Sequence, residues 1–279
     1  MKIDGRKIAY GIKNSLKKQV NIILSQNISP HLAVIIVGKD KSSLAYVRQK
    51  QITGADIGVK VSVISFPDNL AQNKLFSEID RLNQDRSVHG IIIQRPLPIT
   101  VDNIKLDKAV TPQKDVDGFH KNSLFRPPIA LAIMHILHNI FSTIKNDKNE
   151  SFSGWLSKKK ILVIGRGETG GKPIANYLMK NNLSITIAHS KTTDLKRACL
   201  TSEIIVSCVG KSNIVRHDMI TNKTILIGVG LHPEDNKLRS DYDEAEIAQR
   251  AAFYTPVPGG VGPVNVACLF ENLVKACKI

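Results

Sequence analysis

The sequence has few of the features that mark secreted or membrane proteins. Only four of its 279 residues are cysteine, and none of them belongs to a Cys-x-x-Cys pair. This number excludes a disulfide framework and fits a reducing compartment. No apolar run reaches the roughly 20 residues of a membrane helix, and residues 1–10 lack the apolar centre of a signal peptide. We therefore expect a cytoplasmic protein.

Aromatic side chains are also scarce, at 5% of the chain, whereas basic side chains are in excess. There are 39 Lys and Arg against 24 Asp and Glu, so the net charge is +15. Such a charge favours anionic partners, either nucleic acid or small molecules with phosphate or carboxylate groups. Nucleic-acid sites usually combine basic clusters with aromatic rings that stack on bases, and residues 158–160 are the one basic run here. We predict a solvated basic surface, with nucleic-acid binding as an alternative.

Short apolar, β-branched segments alternate with helical patterns along the chain. The segments that read as buried strands are 33–37, 61–65, 90–93, 160–164, 184–188, 204–207 and 224–227. The helical patterns between the first of them are 5–25, 42–57 and 71–83. This alternation predicts an α/β fold whose mainly parallel sheets are flanked by helices. Because a stretch with proline and glycine, 111–128, separates the halves, we expect two domains with a cleft between them.

A glycine-rich loop in the second half predicts a nucleotide site. Gly165, Gly167 and Gly170 form Gly-x-Gly-x-x-Gly directly after a predicted strand and before a helical pattern. Glycines at such a turn let backbone N–H groups approach a pyrophosphate at the helix N-terminus. The loop therefore indicates dinucleotide binding by a Rossmann-like second domain.

The end of the next strand indicates which dinucleotide binds. NAD sites usually have an acidic residue there, which holds the ribose 2′-hydroxyl. This chain has His189, Ser190 and Lys191 instead, and Arg166 lies within the glycine loop. A cationic pocket with hydroxyl groups suits a 2′-phosphate, so we predict NADP. The alternative is that Arg166 and Lys191 merely face solvent.

Three polar segments of the first half carry residues suited to chemistry. Tyr46 and Lys50 are four residues apart in a predicted helix and therefore project from one face. Gln94 follows a buried strand, and ligands of α/β sheets bind at the carboxyl ends of strands. Asp117 lies in the string Lys-Asp-Val-Asp-Gly-Phe-His of residues 114–120. Taken singly, each segment has an ordinary alternative: Lys50 can be a solvated lysine, Gln94 a polar residue at a strand end and Asp117 part of an aspartate-rich turn.

Together with the string Tyr-Thr-Pro-Val-Pro-Gly-Gly-Val-Gly-Pro at 254–263, these segments carry a family resemblance. The sequence resembles the methylenetetrahydrofolate dehydrogenase/methenyltetrahydrofolate cyclohydrolase family almost from end to end. The resemblance implies oxidation of 5,10-methylenetetrahydrofolate with NADP and hydrolysis of the 5,10-methenyl product to 10-formyltetrahydrofolate. It also implies a part in one-carbon metabolism and purine biosynthesis, and a homodimer formed through the nucleotide-binding domains.

The resemblance assigns roles to individual residues. Lys50 is implied as the catalytic lysine, with Gln94 beside it, Tyr46 against the pterin and Asp117 bound to the pterin ring. Further substrate contacts are implied for Pro258, Gly259 and Gly260. The implied contacts to NADP are Gly165, Arg166, Gly167, Gly170, Ser190 and Gly262.

The two reactions need different groups. Hydride transfer asks mostly for positioning. Hydrolysis also moves protons, and a lysine in a partly apolar cleft can have its pKa lowered towards neutrality. An uncharged partner such as Gln94 can orient Lys50 without fixing it as an ammonium ion. The anionic tail of folate gives the basic excess a purpose.

The predicted folate-binding catalytic domain comprises residues 1–122 with 263–279, and the predicted NADP-binding domain comprises residues 123–262. The sequence departs from the family pattern at Ile52, where a second lysine is usual, at the segment 127–132, and at Gly228, usually aspartate. A family member that has lost one or both activities but binds its ligands is therefore an alternative. A shikimate-type NADP dehydrogenase is another, although Gln94 and the string around Asp117 argue against it. His135 and His138 are interpreted as packed or solvated, and no metal is predicted.

Overall fold

The computed structural model describes residues 1–97, 102–144, 149–234 and 237–279. The chain forms two compact units. The first unit comprises Tyr10–Pro128 with Val266–Ile279, and the second comprises Met1–Ala9 with Ile129–Asn265. The limits of the predicted folate-binding and NADP-binding domains stay predictions. None of the helices in the described part is long and apolar enough to cross a membrane.

The elements of the described residues follow the predicted alternation of strands and helices. The helices are α1 (Gly5–Ser25), α2 (Lys41–Ile57), α3 (Gln72–Gln84), α4 (Asn103–Ala109), α5 (Pro128–Ile144), α6 (Phe152–Ser157), α7 (Gly171–Lys180), α8 (Leu195–Leu200), α9 (Glu244–Ala248) and α10 (Val261–Ala276). The strands are β1 (His31–Val37), β2 (Lys60–Phe66), β3 (Gly90–Ile93), β4 (Ile161–Ile164), β5 (Ile185–Ala188), β6 (Ile204–Ser207), β7 (Ile225–Gly228), β8 (Leu231–Glu234), β9 (Lys237–Ser240) and β10 (Phe253–Tyr254). The predicted α/β fold class is confirmed.

The first unit contains a parallel sheet in the order β2-β1-β3. All seven residues of β1 are buried, as a central strand covered on both faces requires. On one face, α3 and α4 contribute Leu75, Ile79 and Leu106 to a cluster with Ile35 and Ile91. The strand order reverses between β1 and β3, so ligands are expected beyond the carboxyl ends of these two strands.

Helix α2 packs tightly on the sheet of the first unit because it carries a glycine at the contact. A Cβ atom placed on Gly54 would lie 2.4 Å from Cγ2 of Val61, which belongs to β2. Phe270 of α10 is close to the same glycine, at 3.4 Å from that position. This close approach fixes the distance of α2 from the strands, and therefore the position of any side chain that α2 directs towards them.

The second unit contains a parallel sheet in the order β10-β7-β6-β4-β5. Its strand order reverses between β4 and β6, and the predicted glycine loop directly follows β4. A cluster of buried side chains that includes Leu162, Ile205 and Leu226 forms its core. Strands β8 and β9 form a separate antiparallel hairpin. The arrangement is that of a doubly wound, Rossmann-like domain.

The stretch 111–128 is part of the first unit. Asn272 of α10 is buried, and its Nδ2 donates hydrogen bonds to the carbonyl oxygens of Val116, at 2.9 Å, and Arg126, at 2.8 Å. One amide side chain therefore fastens both ends of the segment that contains Asp117.

Candidate active site

Lys50 and Gln94 meet beyond the carboxyl ends of β1 and β3. Helix α2 begins after Asp40, whose Oδ2 accepts a hydrogen bond from the N–H of Ser43 at 2.7 Å. Two turns later, the helix presents the buried Lys50, whose Nζ donates to Oε1 of Gln94 at 2.6 Å. The N–H of Gln94 continues the sheet by donating to the carbonyl of Ile35 at 2.8 Å. The strand pairing therefore fixes the amide that orients the lysine.

The electrostatics of Lys50 make its amine available for proton transfer. Burial lowers the pKa of Lys50, and the negative charge of Asp117 opposes this shift. Burial raises the pKa of Asp117, and the positive charges of Lys50 and Arg95 oppose that shift. Because Gln94 is uncharged, the hydrogen bond at Nζ does not require an ammonium ion. Lys50 therefore keeps a pKa below its ordinary value, closer to the range in which an amine exchanges protons at neutral pH.

Tyr46 lies one turn before Lys50 on α2 and is partly buried. Burial raises the pKa of its phenol, so the side chain stays neutral. An aromatic ring on the same helix face as the lysine offers a flat surface for a planar ligand. The structure therefore brings Lys50 and Gln94 into contact and places Tyr46 one turn away on the same helix, while the contact of Tyr46 with a pterin stays a prediction.

Asp115 shapes the loop that carries Asp117, and the sequence analysis missed it. The Asp115 carboxylate accepts hydrogen bonds from the N–H groups of Phe119, at 3.3 Å, and His120, at 2.8 Å. Gly118 permits the turn with φ of +75°, since a Cβ there would lie 2.9 Å from the nitrogen of Pro127. Burial raises the pKa of Asp115 to about 7. Two aspartates at i and i+2 in a glycine turn were the available signal.

Arg95 is a second residue that the sequence analysis did not single out. It lines a small cavity of about 20 Å³ together with Asp107, Asp115, Asp117 and Phe119. The structure thus places an arginine whose side chain is largely buried beside the cavity that Asp117 also lines. By contrast, Ile52, where the family usually has a second lysine, is 52% exposed on α2. The hydrogen bond between Lys50 and Gln94 does not involve it.

The glycine loop after β4 has the geometry of a phosphate cradle. Gly165 has φ of +105°, and a Cβ there would lie 2.8 Å from the carbonyl oxygen of Cys208. Gly170 occupies the N-cap of α7 and has no side chain that could accept from the first N–H groups of the helix. Among the described residues, no heavy atom lies within 4 Å of a Cβ placed on Gly167. The start of α7 is therefore open to an anion.

The ends of β4 and β5 bring the predicted NADP-specific residues to one edge of the sheet. Ile164 pairs with Ala188, and the N–H of Gly165 donates to the carbonyl of Ala188 at 2.8 Å. The loops that begin after these strands carry Arg166 and Ser190, and both side chains are exposed. One cation, one hydroxyl and no acidic residue at the end of β5 fit a 2′-phosphate, so the residues present suit NADP.

The string at 254–263 forms a turn that leads into α10. Buried Thr255 anchors it, since its Oγ1 accepts from the N–H of Gly228 at 2.8 Å and its carbonyl accepts from the hydroxyl of Tyr242 at 2.6 Å. Pro258, Gly259 and Gly260 follow, and Gly262 lies in the first turn of α10. The structure brings these four predicted residues together, and their contacts to ligands stay predictions.

These sites define a class of protein: an α/β dehydrogenase with a dinucleotide domain and a second domain built around a buried lysine. Family models identify it further. The catalytic domain of tetrahydrofolate dehydrogenase/cyclohydrolase matches residues 3–117, and the NAD(P)-binding domain of the same enzymes matches residues 132–279. The chain belongs to the tetrahydrofolate dehydrogenase/cyclohydrolase family.

Individual relatives agree over their whole length. The bifunctional protein FolD of Pelagibacter ubique is 36% identical over 288 residues, which cover 99% of this chain and 98% of that protein. The FolD structure from Campylobacter jejuni has a TM-score of 0.91 at 32% identity and covers 100% of this chain and 98% of its own. The Trypanosoma brucei FolD, complexed with NADP cofactor and inhibitor, has a TM-score of 0.89 at 31% identity, covering 100% and 97%. Shikimate 5-dehydrogenase from Thermus thermophilus, at 11% identity and a TM-score of 0.52, shares the fold alone.

Proposed function

We propose that this chain is an NADP-dependent methylenetetrahydrofolate dehydrogenase and a methenyltetrahydrofolate cyclohydrolase. It oxidises 5,10-methylenetetrahydrofolate to the 5,10-methenyl form and hydrolyses that product to 10-formyltetrahydrofolate. The observation that carries the proposal is the buried Lys50, held at 2.6 Å by the neutral amide of Gln94. A lysine that is desolvated and bound by a neutral acceptor suits the proton transfers of hydrolysis better than it suits a structural ion pair.

Lys50 acts as the proton carrier of the hydrolytic reaction. Its free amine accepts a proton from the water that adds to the methenyl carbon, and the ammonium ion then protonates the ring nitrogen as the carbon–nitrogen bond breaks. The proton of the added hydroxyl leaves to solvent as the formyl carbonyl forms, so one proton is released per turnover. Gln94 orients the amine. Asp117 accepts hydrogen bonds from the amino-pyrimidinone edge of the pterin, and Tyr46 packs against the pterin ring.

Oxidation relies on positioning. When bound, oxidised NADP would supply the acceptor for the hydride that leaves the bridging methylene group. The N–H groups around Gly165, Gly167 and Gly170 hold the pyrophosphate, while Arg166 and Ser190 hold the 2′-phosphate. Pro258, Gly259 and Gly260 contact the substrate, and Gly262 contacts the cofactor. The proposed folate-binding domain is residues 1–122 with 263–279, and the proposed NADP-binding domain is residues 123–262.

The assembly and location that we propose are a homodimer in the cytoplasm. Strand β5 lies at the edge of its sheet and exposes Ile187, which offers an apolar surface for a second copy. All four cysteines are free thiols, which suits a reducing compartment. The product, 10-formyltetrahydrofolate, is a one-carbon donor, and purine biosynthesis is the proposed use.

The function is tested by turnover of 5,10-methylenetetrahydrofolate with NADP and, separately, with NAD. Reduced cofactor and methenyl product are followed together in the wild type and in Lys50→Ala. We expect the wild type to form NADPH without accumulating the methenyl compound. Lys50→Ala should accumulate it, because its hydrolysis falls by about 100-fold or more when the proton carrier is removed. Lys18→Ala, which removes an exposed lysine of the same unit, should behave as the wild type.

Two results would contradict the proposal. If neither cofactor is reduced although folate and NADP both raise the melting temperature, the chain binds its ligands without catalysing the reaction. If the wild type accumulates the methenyl compound as Lys50→Ala does, the chain is a dehydrogenase without cyclohydrolase activity.

A further inference from the structure

We propose that Arg95 is a positioning residue of the folate site. Its guanidinium is held by Asp107 and Phe119 and supplies a fixed positive charge. This charge keeps Asp117 ionised and shares in balancing it, so that Lys50 is not the only cation beside the Asp117 carboxylate. Arg95 thereby preserves both the carboxylate that recognises the pterin and the amine that moves protons. This inference rests on the proposed function of the same site.

The position of Arg95 is determined by its neighbours on two elements. It directly follows Gln94, and its side chain is only 9% exposed. The guanidinium forms an ion pair with Asp107 of α4, and its Cζ lies 4.4 Å from the centroid of the Phe119 ring. A planar guanidinium that is stacked on a ring and bound to a carboxylate has little rotational freedom. The positive charge is therefore fixed beside the small cavity that Asp117 also lines.

The charged groups around Asp117 come from four elements. Lys50 comes from α2, Arg95 from the end of β3, Asp107 from α4 and Asp115 from the same loop as Asp117. Lys50 and Arg95 both act to lower the pKa of Asp117 against the effect of burial. Asp115, whose pKa is raised to about 7, carries only part of a charge at neutral pH. Two cations thus share the charge of Asp117: the amine of Lys50 and the guanidinium of Arg95.

The loss of Arg95 would shift the pH dependence of both pterin binding and hydrolysis to higher pH. With one cation removed, Asp117 would take up a proton at a higher pH. While it remained ionised, it would be balanced by Lys50 alone, which favours the ammonium form of Lys50. Pterin binding needs the carboxylate, and hydrolysis needs the free amine. Both would therefore require a higher pH than in the wild type.

The experiment compares Arg95→Met and Arg95→Lys with the wild type across a range of pH. Calorimetry gives the Kd of tetrahydrofolate, and absorbance gives kcat and KM for hydrolysis of 5,10-methenyltetrahydrofolate without NADP. In Arg95→Met, we expect the acidic limbs of binding and of kcat/KM to move up by about one pH unit or more. Affinity at pH 7 should fall by about tenfold.

Two further variants separate the effect of charge from loss of packing. Arg95→Lys retains a positive charge and should restore most of the shift in pH. Arg86→Met removes an exposed arginine of the same unit and should leave the profiles unchanged. If Arg95→Met does not fold, Arg95→Leu combined with Asp107→Leu removes both members of the ion pair, so that no buried charge is left alone. The double variant should shift both profiles in the same direction but by a smaller amount, because loss of the Asp107 carboxylate offsets part of the lost positive charge.

The readouts separate failure of this inference from failure of the proposed function. If the wild type does not hydrolyse the methenyl substrate, the proposed cyclohydrolase activity is wrong, but the pH dependence of tetrahydrofolate binding still tests Arg95. If Arg95→Met keeps the wild-type pH dependence of Kd, or if Arg95→Lys shifts it as far as Arg95→Met, then the residue acts only through packing and the inference is overturned.

Discussion

At the scale of single residues, the uncharged nature of Gln94 is as important as its position. Gln94→Glu would place a carboxylate within hydrogen-bond distance of Lys50, where the wild-type amide oxygen lies 2.6 Å from Nζ. An opposite charge this close raises the pKa of a lysine by about 1–3 units. Since hydrolysis requires the free amine, we expect the cyclohydrolase rate at neutral pH to fall by about tenfold or more.

The pH profile distinguishes this effect from general damage to the site. The rate of hydrolysis by Gln94→Glu should recover as pH rises, because the free amine is restored above the raised pKa. Dehydrogenase turnover, which needs little proton transfer, should fall less. Gln84→Glu, an exposed substitution at the end of α3, is the matched control. A uniform loss of hydrolysis at every pH would show that the amide matters for geometry and not for charge.

Candidate site residues could be predicted from the sequence where a motif carried them. Lys50, Gln94 and Asp117 were predicted in this way, and the structure brings Lys50 and Gln94 into contact, while their roles stay predictions. Arg95 was missed because its partner Asp107 lies on α4, a short helix that the hydrophobic pattern did not reveal. Asp241 was missed for a similar reason: this buried carboxylate accepts from Ser207 Oγ at 2.6 Å, and its partners are about 30 residues away. Long-range pairs of this kind leave no local signal.

At the scale of secondary structure, the glycines of the nucleotide loop have different functions. A Cβ placed on Gly171 would lie 2.0 Å from the carbonyl oxygen of Gly165, so the backbone would have to move. Gly171→Ala should therefore lower the free energy of unfolding by about 2 kcal/mol or more. Gly167 has open space around its Cβ position among the described residues, so Gly167→Ala should leave stability nearly unchanged.

The two loop variants should rank in the opposite order for NADP affinity and for stability. Gly167→Ala should weaken NADP binding more than Gly171→Ala does. Gly167→Ala puts a methyl group where the backbone must approach the pyrophosphate, so we expect the Kd of NADP to rise by about tenfold with normal folding. Urea unfolding measures stability, and calorimetry measures NADP affinity. Gly11→Ala, in the open surface of α1, controls for replacement of a glycine. Equal loss of stability in Gly167→Ala and Gly171→Ala would contradict the proposal that Gly171 is needed for folding and Gly167 for binding of the cofactor.

All seven strands from β1 to β7 were predicted, and most of them share one property. Strands β1, β3, β4, β6 and β7 are nearly continuous apolar runs, because parallel strands are covered on both faces. Strands β2 and β5 lie at the edges of their sheets and are partly exposed, and their β-branched residues indicated them. The hairpin of β8 and β9 is partly exposed, and β10 has only two residues. Their sequences carry no clear period, so pairing with distant strands defines them. The sequence therefore predicted strands β1 to β7 but not β8, β9 and β10.

At the scale of the whole molecule, the net charge of +15 makes stability depend on salt. Positive side chains repel one another more in the compact state than in the expanded chain, and this repulsion destabilises folding. Salt screens the repulsion, with a Debye length of about 10 Å at about 0.1 M. At neutral pH, we therefore expect the free energy of unfolding to rise as KCl is increased from about 20 to about 300 mM.

Affinity for NADP should follow the opposite trend, because the same screening weakens the attraction between the basic protein and the anionic cofactor. Urea unfolding without ligand and calorimetry with NADP, over one series of KCl concentrations, measure both trends. Near the isoelectric point of about 9.7, net repulsion is absent and the dependence of stability on salt should nearly disappear. An equal rise in stability at both pH values would show that salt acts by strengthening apolar burial. The charge excess would then favour ligand binding without destabilising the fold.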